Sequence, residues 1–123
     1  MQLGIIGIGR MGGNMARRLM RAKHEVLVYD PVTQTRESFT IETGAFVADS
    51  IEQLVSALRP PRVVWLMLPY GATTQAAIDE LVPRLTPGDI VVDGGNSPFQ
   101  DDIERGAALA AHGIRYLDAG TSG

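Results

Sequence analysis

The sequence predicts an α/β fold with a doubly wound parallel sheet of strand order 3-2-1-4-5-6. Three observations support this fold class. Short apolar runs alternate with helix-like segments, the runs are continuous as in strands buried on both faces, and a glycine-rich turn follows the first run. The 123 residues suffice for one domain, 45% of them are hydrophobic and none is cysteine. Disulfides, thiolate nucleophiles and cysteine-ligated metal sites are therefore excluded.

Apolar or alternating runs predict six strands. They lie at residues 3–8, 25–30, 45–48, 63–68, 90–93 and 114–118. Helices are predicted between them, at residues 11–22, 33–42, 50–58, 73–85 and 98–112. The first helix is recognised from apolar residues at steps of four, four and three, which lie on one helix face: Met11, Met15, Leu19 and Ala22.

Polar residues and glycines predict where several helices begin and end. Thr33 is a candidate cap of the second helix, and Gly44 lies just beyond its end. Ser50 and Gln53 have the spacing of a capping box at the start of the third helix. Ser97, followed by proline, is predicted to cap the last helix, with the proline at its first position.

The glycine-rich turn at residues 7–12 reads Gly-Ile-Gly-Arg-Met-Gly. This pattern between a strand and a helix is typical of a dinucleotide-binding site. Gly7 permits a tight turn, Gly9 lets a pyrophosphate approach the backbone, and Gly12 lets helix and strand pack closely. The helix N-terminus then offers free N–H groups to the phosphates. Arg10 either flanks the phosphates or is solvated. The other explanation for the three glycines is that they serve packing alone.

Asp30 ends the second predicted strand, 18 residues after Gly12. A carboxylate at this spacing accepts hydrogen bonds from the adenosine ribose in dinucleotide-binding domains. It would repel the 2′-phosphate of NADP by about 4 kcal/mol per charge at 4 Å and an effective dielectric of 20. The nearest cation able to compensate is Arg36, so NAD is favoured over NADP. The other explanation for Asp30 is a turn aspartate before proline.

Further loops follow the strands predicted at 63–68, 90–93 and 114–118. In a parallel sheet they share the carboxyl edge with the glycine turn, and ligands bind at that edge. The first loop begins with Leu68 and Pro69, and the second contains Asn96 between glycines and a serine. Each loop alone is equally compatible with an ordinary turn, but three on one edge favour a binding site.

These segments resemble the decarboxylating 6-phosphogluconate dehydrogenases, within the wider β-hydroxyacid dehydrogenase group. The resemblance covers the whole chain and is carried by residues 4–19, 64–69, 93–97 and 118–123. It implies a Rossmann domain that binds NAD. It also implies a cytoplasmic, homo-oligomeric parent enzyme that oxidises the C3 hydroxyl of 6-phosphogluconate. The product then loses CO₂ to give ribulose 5-phosphate.

The resemblance also implies roles for individual residues. The dinucleotide is held by the first turn, by the loop after the fourth strand and by one amide: Gly7, Ile8, Gly9, Arg10, Met11, Gly12, Leu68, Pro69 and Asn96. The substrate is bound by Asn96, Ser122 and Gly123. The family's general base is a lysine and its acid a glutamate, both on a later helix. Lys23 is the only lysine and lies in the first helix, so no catalytic residue is assigned in this chain.

Two departures from the family pattern are informative. By this resemblance, family members that use NADP have the sequence Asn-Arg-Thr after the second strand. In this chain the same place holds Asp30 followed by proline and valine, which favours the NAD-preferring branch. The closing motif normally continues with a second glycine after Gly123. We therefore expect residues 1–123 to be one NAD-binding domain of a longer protein, with the helical domain outside this sequence.

Other classes of function fit less well. The net charge of −3 favours no nucleic-acid partner, and no apolar run has the length of a membrane span. His24 and His112 are 88 residues apart, so no metal site is predicted. Two alternatives stay open: another 3-hydroxyacid dehydrogenase, and a non-catalytic nucleotide-binding module. The reading frame beyond Gly123 distinguishes the module from an enzyme, and the substrates turned over distinguish the dehydrogenases.

Overall fold

A computed structural model describes residues 1–69, 71–95 and 97–119, apart from the side chain of Phe99. Its strands are β1 (Gln2–Ile6), β2 (Glu25–Tyr29), β3 (Phe46–Val47), β4 (Val63–Leu66), β5 (Ile90–Asp93) and β6 (Arg115–Asp118). Its helices are α1 (Arg10–Arg21), α2 (Thr33–Thr43), α3 (Ile51–Ala57), α4 (Ala72–Leu81) and α5 (Phe99–Ala110). A turn of 3₁₀-helix, Val82–Arg84, follows α4 and contains Pro83.

The strands form one parallel sheet in the order β3-β2-β1-β4-β5-β6, which confirms the predicted fold class. Alternate strand residues point to opposite faces and enter two apolar clusters. Ile6 and Leu66 belong to the larger cluster, with α3, α4 and α5, and Ile5 and Val28 belong to the smaller one, with α1 and α2. Helices on both faces explain why the strands read as continuous apolar runs.

Two strands end earlier than their apolar runs. β1 ends at Ile6 and β4 at Leu66, although the sequence predicted strands to residues 8 and 68. Ile8 and Leu68 are nevertheless buried, with 4% and 7% of their surfaces exposed. They are apolar because they close the core beneath the loops, and not because they continue the sheet.

The helix ends test the capping predictions. The Ser50 hydroxyl accepts a hydrogen bond of 3.0 Å from the Gln53 backbone N–H, so the predicted cap is confirmed. Gly44 adopts a left-handed conformation at the end of α2, with φ of 67°, as predicted. The prediction for Thr33 is wrong: the helix begins at Thr33, preceded by Val32, and no side chain caps it.

The prediction for the start of α5 is also wrong. Pro98 is the residue before the helix, and Phe99 is its first residue. The Ser97 hydroxyl donates to a carboxylate oxygen of Asp93 and accepts an N–H of Arg105, both of which are buried. These two side chains take the hydroxyl that the sequence assigned to a cap.

The buried face of α1 is in part the predicted one, since Met15 and Leu19 are partly buried and pack against the smaller cluster. Its fully buried residues are the small ones, Gly12, Gly13 and Ala16, which allow the helix to approach the sheet closely. Met11, predicted on the buried face, is 56% exposed at the start of the helix. None of the helices in the described ranges has the length and apolar character needed to cross a bilayer.

Candidate functional site

The carboxyl ends of the strands form one row across the sheet. Ile6 is in register with Tyr29 of β2 and with Leu66 of β4, and the row continues through Asp93 of β5 to Asp118 of β6. β1 pairs with both β2 and β4, so the winding of the chain reverses at β1. The loops of interest therefore leave the sheet at one edge, on both sides of the topological switch point.

The glycine turn is held by its close contacts. Gly7 has φ of 98°, a left-handed conformation that disfavours side chains, and its N–H donates to the Tyr29 carbonyl at 2.8 Å. A Cβ on Gly12 would lie 1.8 Å from the Gly7 carbonyl oxygen. These two glycines thus have the geometric roles that the sequence predicted, a tight turn and close packing of α1 on β1.

The N-terminus of α1 is open toward this turn. Gly9 precedes the helix, none of the described side chains caps it, and its first turn carries no acidic residue. A Cβ on Gly9 would meet no described atom within 4 Å, and Arg10 and Met11 are exposed. The first N–H groups of a helix lack intrahelical acceptors and carry the positive end of its dipole. This arrangement fits the pyrophosphate of a dinucleotide.

Asp30 lies directly beside the turn, with 7% of its surface exposed. Its Oδ2 accepts the Ile8 N–H at 2.9 Å, and its Oδ1 accepts the Val32 N–H at 2.8 Å. The carboxylate therefore ties the glycine turn to the end of β2. Each oxygen has further lone pairs, so the same group is able to accept ribose hydroxyls.

Arg36 lies against the end of β2. Its guanidinium donates to the Asp30 carbonyl at 2.8 Å and to the Thr33 hydroxyl at 3.2 Å. It also lies over the Tyr29 ring, 5.5 Å from the centroid. These contacts use two of its five N–H groups. The cation that the sequence named as the nearest to Asp30 is therefore held close to it.

An apolar cavity of about 390 Å³ opens beside Asp30, between the ends of β1 and β2 and the start of α4. Its walls include Tyr29, Pro31, Leu68 and Ala72. An apolar cavity next to a carboxylate that is able to accept ribose hydroxyls fits an adenine ring. The sequence predicted only Leu68 for this wall, because no local motif marks the other residues.

The loop after β5 is anchored by Asp93, which is fully buried. One of its oxygens accepts the Gly95 N–H at 2.8 Å, and the other accepts the Ser97 and Tyr116 hydroxyls. The sequence marked this segment for its glycines and its amide. The anchoring aspartate was not predicted, and its position at the end of a buried strand was the available signal.

Asp102 of α5 is nearly buried beside this anchor. Its Oδ1 accepts the Tyr116 hydroxyl at 2.7 Å, and its Oδ2 has no hydrogen-bond partner among the described residues. The Asp102 carboxyl also interacts with that of Asp118. Burial raises the pKa of the Asp102 carboxyl, and the negative charges of Asp118 and Asp93 raise it further, against the hydrogen bond from Tyr116. The protonated acid is the form that this environment favours.

We expect Asp102→Asn to stabilise the protein increasingly as pH rises. An acid whose pKa is raised by folding contributes stability below its unfolded pKa and loses it as pH rises toward the folded value. Asparagine mimics the protonated acid and does not ionise. Urea unfolding at pH 4 and pH 8 measures the difference, with the exposed Glu104→Gln as the control. A stabilisation that does not grow with pH contradicts this account of Asp102.

Comparison with known proteins bears on what this edge binds. Residues 2–123 match the family described as the NAD binding domain of 6-phosphogluconate dehydrogenase. The chain belongs to this family. The resemblance found in the sequence is thereby confirmed.

Curated relatives agree with the family. An NAD(+)-dependent, decarboxylating 6-phosphogluconate dehydrogenase of Haloferax volcanii is 43% identical over 123 residues, which are 100% of this chain and 40% of that protein. A decarboxylating 6-phosphogluconate dehydrogenase of Bacillus licheniformis is 36% identical over 98% of this chain and 27% of its own length. The chain thus spans well under half of these relatives.

Solved structures show the same fold. A 3-hydroxyisobutyrate dehydrogenase of Mycobacterium tuberculosis, determined with L-serine, superposes with a TM-score of 0.87 at 28% identity, over 99% of this chain and 40% of that one. A Plasmodium falciparum 6-phosphogluconate dehydrogenase gives a TM-score of 0.88 at 22% identity, over 94% of this chain and 26% of that one. The second comparison concerns the fold alone.

In this 6-phosphogluconate dehydrogenase NAD-binding domain, most of the predicted dinucleotide-binding residues meet at one edge. The glycine turn, Asp30 and Leu68 surround the open end of α1 and the apolar cavity, whereas Pro69 is exposed on the loop beyond them. Asn96, Ser122 and Gly123 lie outside the described residues. No cluster of three potential metal ligands occurs in the part of the chain that the structure describes.

Proposed function

We propose that this domain binds NAD, in preference to NADP, for a cytoplasmic 6-phosphogluconate dehydrogenase. The observation that carries the proposal is the pairing of an open helix N-terminus with a buried carboxylate. No side chain in the described part of the protein caps α1, and Asp30 holds the turn that leads into it. The phosphates would lie on the first N–H groups of α1, the adenosine ribose on Asp30, and the adenine in the neighbouring cavity.

Charge supports NAD as the cofactor. A 2′-phosphate 4 Å from the Asp30 carboxylate would be repelled by about 4 kcal/mol per charge at an effective dielectric of 20. The positive charge of Arg36 offsets part of this repulsion, because its guanidinium donates a hydrogen bond to the Asp30 backbone carbonyl and so lies nearby. The Haloferax relative, at 43% identity, is likewise named as an NAD(+)-dependent enzyme.

Calorimetry with the two cofactors tests this preference. We expect the unmodified chain to bind NAD more tightly than NADP, and Asp30→Ala to equalise or reverse the order, because it removes both the ribose acceptor and the repulsive charge. Glu37→Gln, which neutralises an exposed carboxylate on α2, is the matched control and leaves the order unchanged. Tighter binding of NADP to the unmodified chain contradicts the role of Asp30.

The reaction that we propose for the whole enzyme is the oxidative decarboxylation of 6-phosphogluconate. NAD, when bound, accepts the hydride from the substrate. This domain would orient the cofactor and form part of the substrate wall, in an enzyme that we propose to be a homo-oligomer. The general base and acid are proposed to lie outside this chain. Purified residues 1–123 should accordingly bind NAD and produce no NADH from 6-phosphogluconate.

The structural likeness to 3-hydroxyisobutyrate dehydrogenase supports a second candidate substrate, a simpler 3-hydroxy acid. An absorbance assay of the full-length enzyme with NAD and either 6-phosphogluconate or 3-hydroxyisobutyrate separates the two. We expect a higher kcat/KM with 6-phosphogluconate. Preference for 3-hydroxyisobutyrate overturns the substrate assignment and leaves the proposed cofactor site intact.

A further inference from the structure

Arg105 of α5 is a buried cation at the junction of three segments. Only 6% of its surface is exposed. Its Nε donates to the Gln75 side chain of α4 at 2.9 Å, and an Nη donates to the Ser97 hydroxyl at 2.9 Å. The same nitrogen lies 3.7 Å from a carboxylate oxygen of Asp93. One side chain therefore connects α4, α5 and the loop that follows β5.

Asp93 completes the arrangement from the sheet. It accepts the Gly95 N–H and the Ser97 hydroxyl, which fixes the two described residues on either side of position 96. The Tyr116 hydroxyl of β6 lies 3.0 Å from Asp93 and 2.7 Å from Asp102, so its one proton is shared between the two carboxyl groups. Three donors and the Arg105 charge thus converge on one carboxylate with no exposed surface.

A buried ion pair of this kind adds little net stability. The cost of removing two charges from water is large, and apolar residues of similar volume often stabilise a fold equally well or better. The pair does provide a fixed geometry, because the guanidinium and the carboxylate each hold the groups that they bind in one orientation. The groups fixed here belong to a loop at the ligand-binding edge of the sheet.

The position of this loop relates it to one half of the cofactor. Asp30 at β2 marks the side of the adenosine ribose, and β4 and β5 lie on the other side of β1. Neighbouring strands are about 4.8 Å apart, so the end of β5 is about 10 Å from that of β1. A dinucleotide with its phosphates on the turn after β1 extends its second ribose toward this loop.

We propose that Arg105, acting with Asp93, is a positioning residue that orients the loop after β5 for the nicotinamide half of the dinucleotide. The proposal rests on the proposed function. It implies that the two halves of the dinucleotide are held by separate groups on the two sides of β1. Loss of Arg105 should weaken contacts to the nicotinamide half while leaving the adenosine half, held by Asp30 and the cavity, unchanged.

The test compares two ligands on the same chain. NADH probes both halves of the site, and AMP probes the adenosine half alone. Trp65 is the only tryptophan, so energy transfer from it to NADH reports binding, and calorimetry reports AMP. We expect Arg105→Gln to weaken NADH binding about tenfold, because hydrogen bonds to a charged group are lost, and to leave AMP binding unchanged.

Two further variants keep the test decisive. Arg84→Gln removes an arginine that contacts Glu80 and Glu52, away from the loop, and should change neither affinity. Ser97→Ala removes one hydroxyl and keeps Arg105 and Asp93, so it covers the case in which Arg105→Gln fails to fold. We expect it to weaken NADH binding about threefold, with AMP binding unchanged.

The outcomes are distinct. Weaker NADH binding with unchanged AMP binding supports the positioning role. Equal losses for both ligands indicate a structural role only and overturn it, as do unchanged affinities for both. If the unmodified chain binds neither NADH nor AMP, the proposed function fails first, and the positioning role fails with it.

Discussion

Gly12→Ala is expected to weaken NADH binding about 100-fold, equivalent to about 2.8 kcal/mol. The added Cβ would lie 1.8 Å from the Gly7 carbonyl oxygen and 3.1 Å from the Cβ of Met67. Neither contact is with the end of a flexible side chain, so α1 has to move away from β1. The start of the helix then no longer points its N–H groups at the phosphates. Energy transfer from Trp65 to NADH measures the loss.

Two other glycines provide controls for this substitution. Gly106→Ala places a methyl group 3.8 Å from the Tyr116 ring, an ordinary contact, and should stabilise α5 by about 0.5–1 kcal/mol without changing NADH binding. Gly9→Ala meets no described atom of the protein and should weaken binding without loss of stability, because the methyl occupies the space of the phosphates. Undiminished binding by Gly12→Ala contradicts the assignment of this turn.

Asp89→Ala is expected to destabilise the fold by about 3–5 kcal/mol, the cost of leaving one member of a buried ion pair alone. Asp89 has no exposed surface and accepts the Arg62 N–H at 2.7 Å, the Thr86 N–H at 2.8 Å and the Arg62 guanidinium at 3.1 Å. Through these bonds it joins the starts of β4 and β5. The free energy of unfolding of a domain is about 5–15 kcal/mol in total, so the loss is a large fraction of its stability.

The effect of Asp89 also depends on pH. Burial raises the pKa of its carboxyl, but the hydrogen bonds from Arg62 and Thr86 outweigh burial and hold the pKa below its ordinary value. An acid with a lowered folded pKa stabilises the fold above its unfolded pKa and loses that contribution as pH falls through the folded value. Urea unfolding should therefore show a destabilisation by Asp89→Ala at pH 7 that shrinks toward pH 2.

The matched control is an exposed ion pair. Glu25 and Arg59 are 3.1 Å apart, and their side chains are 55% and 70% exposed. Glu25→Ala should destabilise the fold much less than Asp89→Ala, because solvent screens such pairs. Equal effects of the two substitutions at pH 7 contradict the structural account of Asp89.

Local patterns predicted the sheet and the glycine turn because the physical constraints there are local. A strand buried on both faces is apolar throughout, and a strand that turns tightly into a close-packed helix needs Gly7 and Gly12. The Ser50 cap was predictable for the same reason, since its partner is three residues away. The two mistaken caps have separate reasons. Thr33 is itself the first residue of α2, and the Ser97 hydroxyl bonds Asp93 and Arg105 instead of the start of α5.

The polar networks were not predictable because their members are distant in sequence. Asp89 pairs with Arg62, which is 27 residues earlier in the chain. Arg105 binds Gln75 from 30 residues away, which no local spacing reveals. The cavity beside Asp30 likewise combines residues of β2, α4 and the loop after β4. Only the three-dimensional arrangement brings these residues together.

The most direct test of the central claim is amide chemical-shift mapping of the ¹⁵N-labelled chain during titration with NAD. We expect the largest shifts at Ile8, Arg10 and Met11, on the turn and first helical residues, and at Val32 beside Asp30. Asp30→Ala should reduce the shift at Val32. The absence of shifts at millimolar NAD, or shifts confined to the opposite edge of the sheet around Lys23 and Gly88, contradicts the claim that NAD binds across the glycine turn.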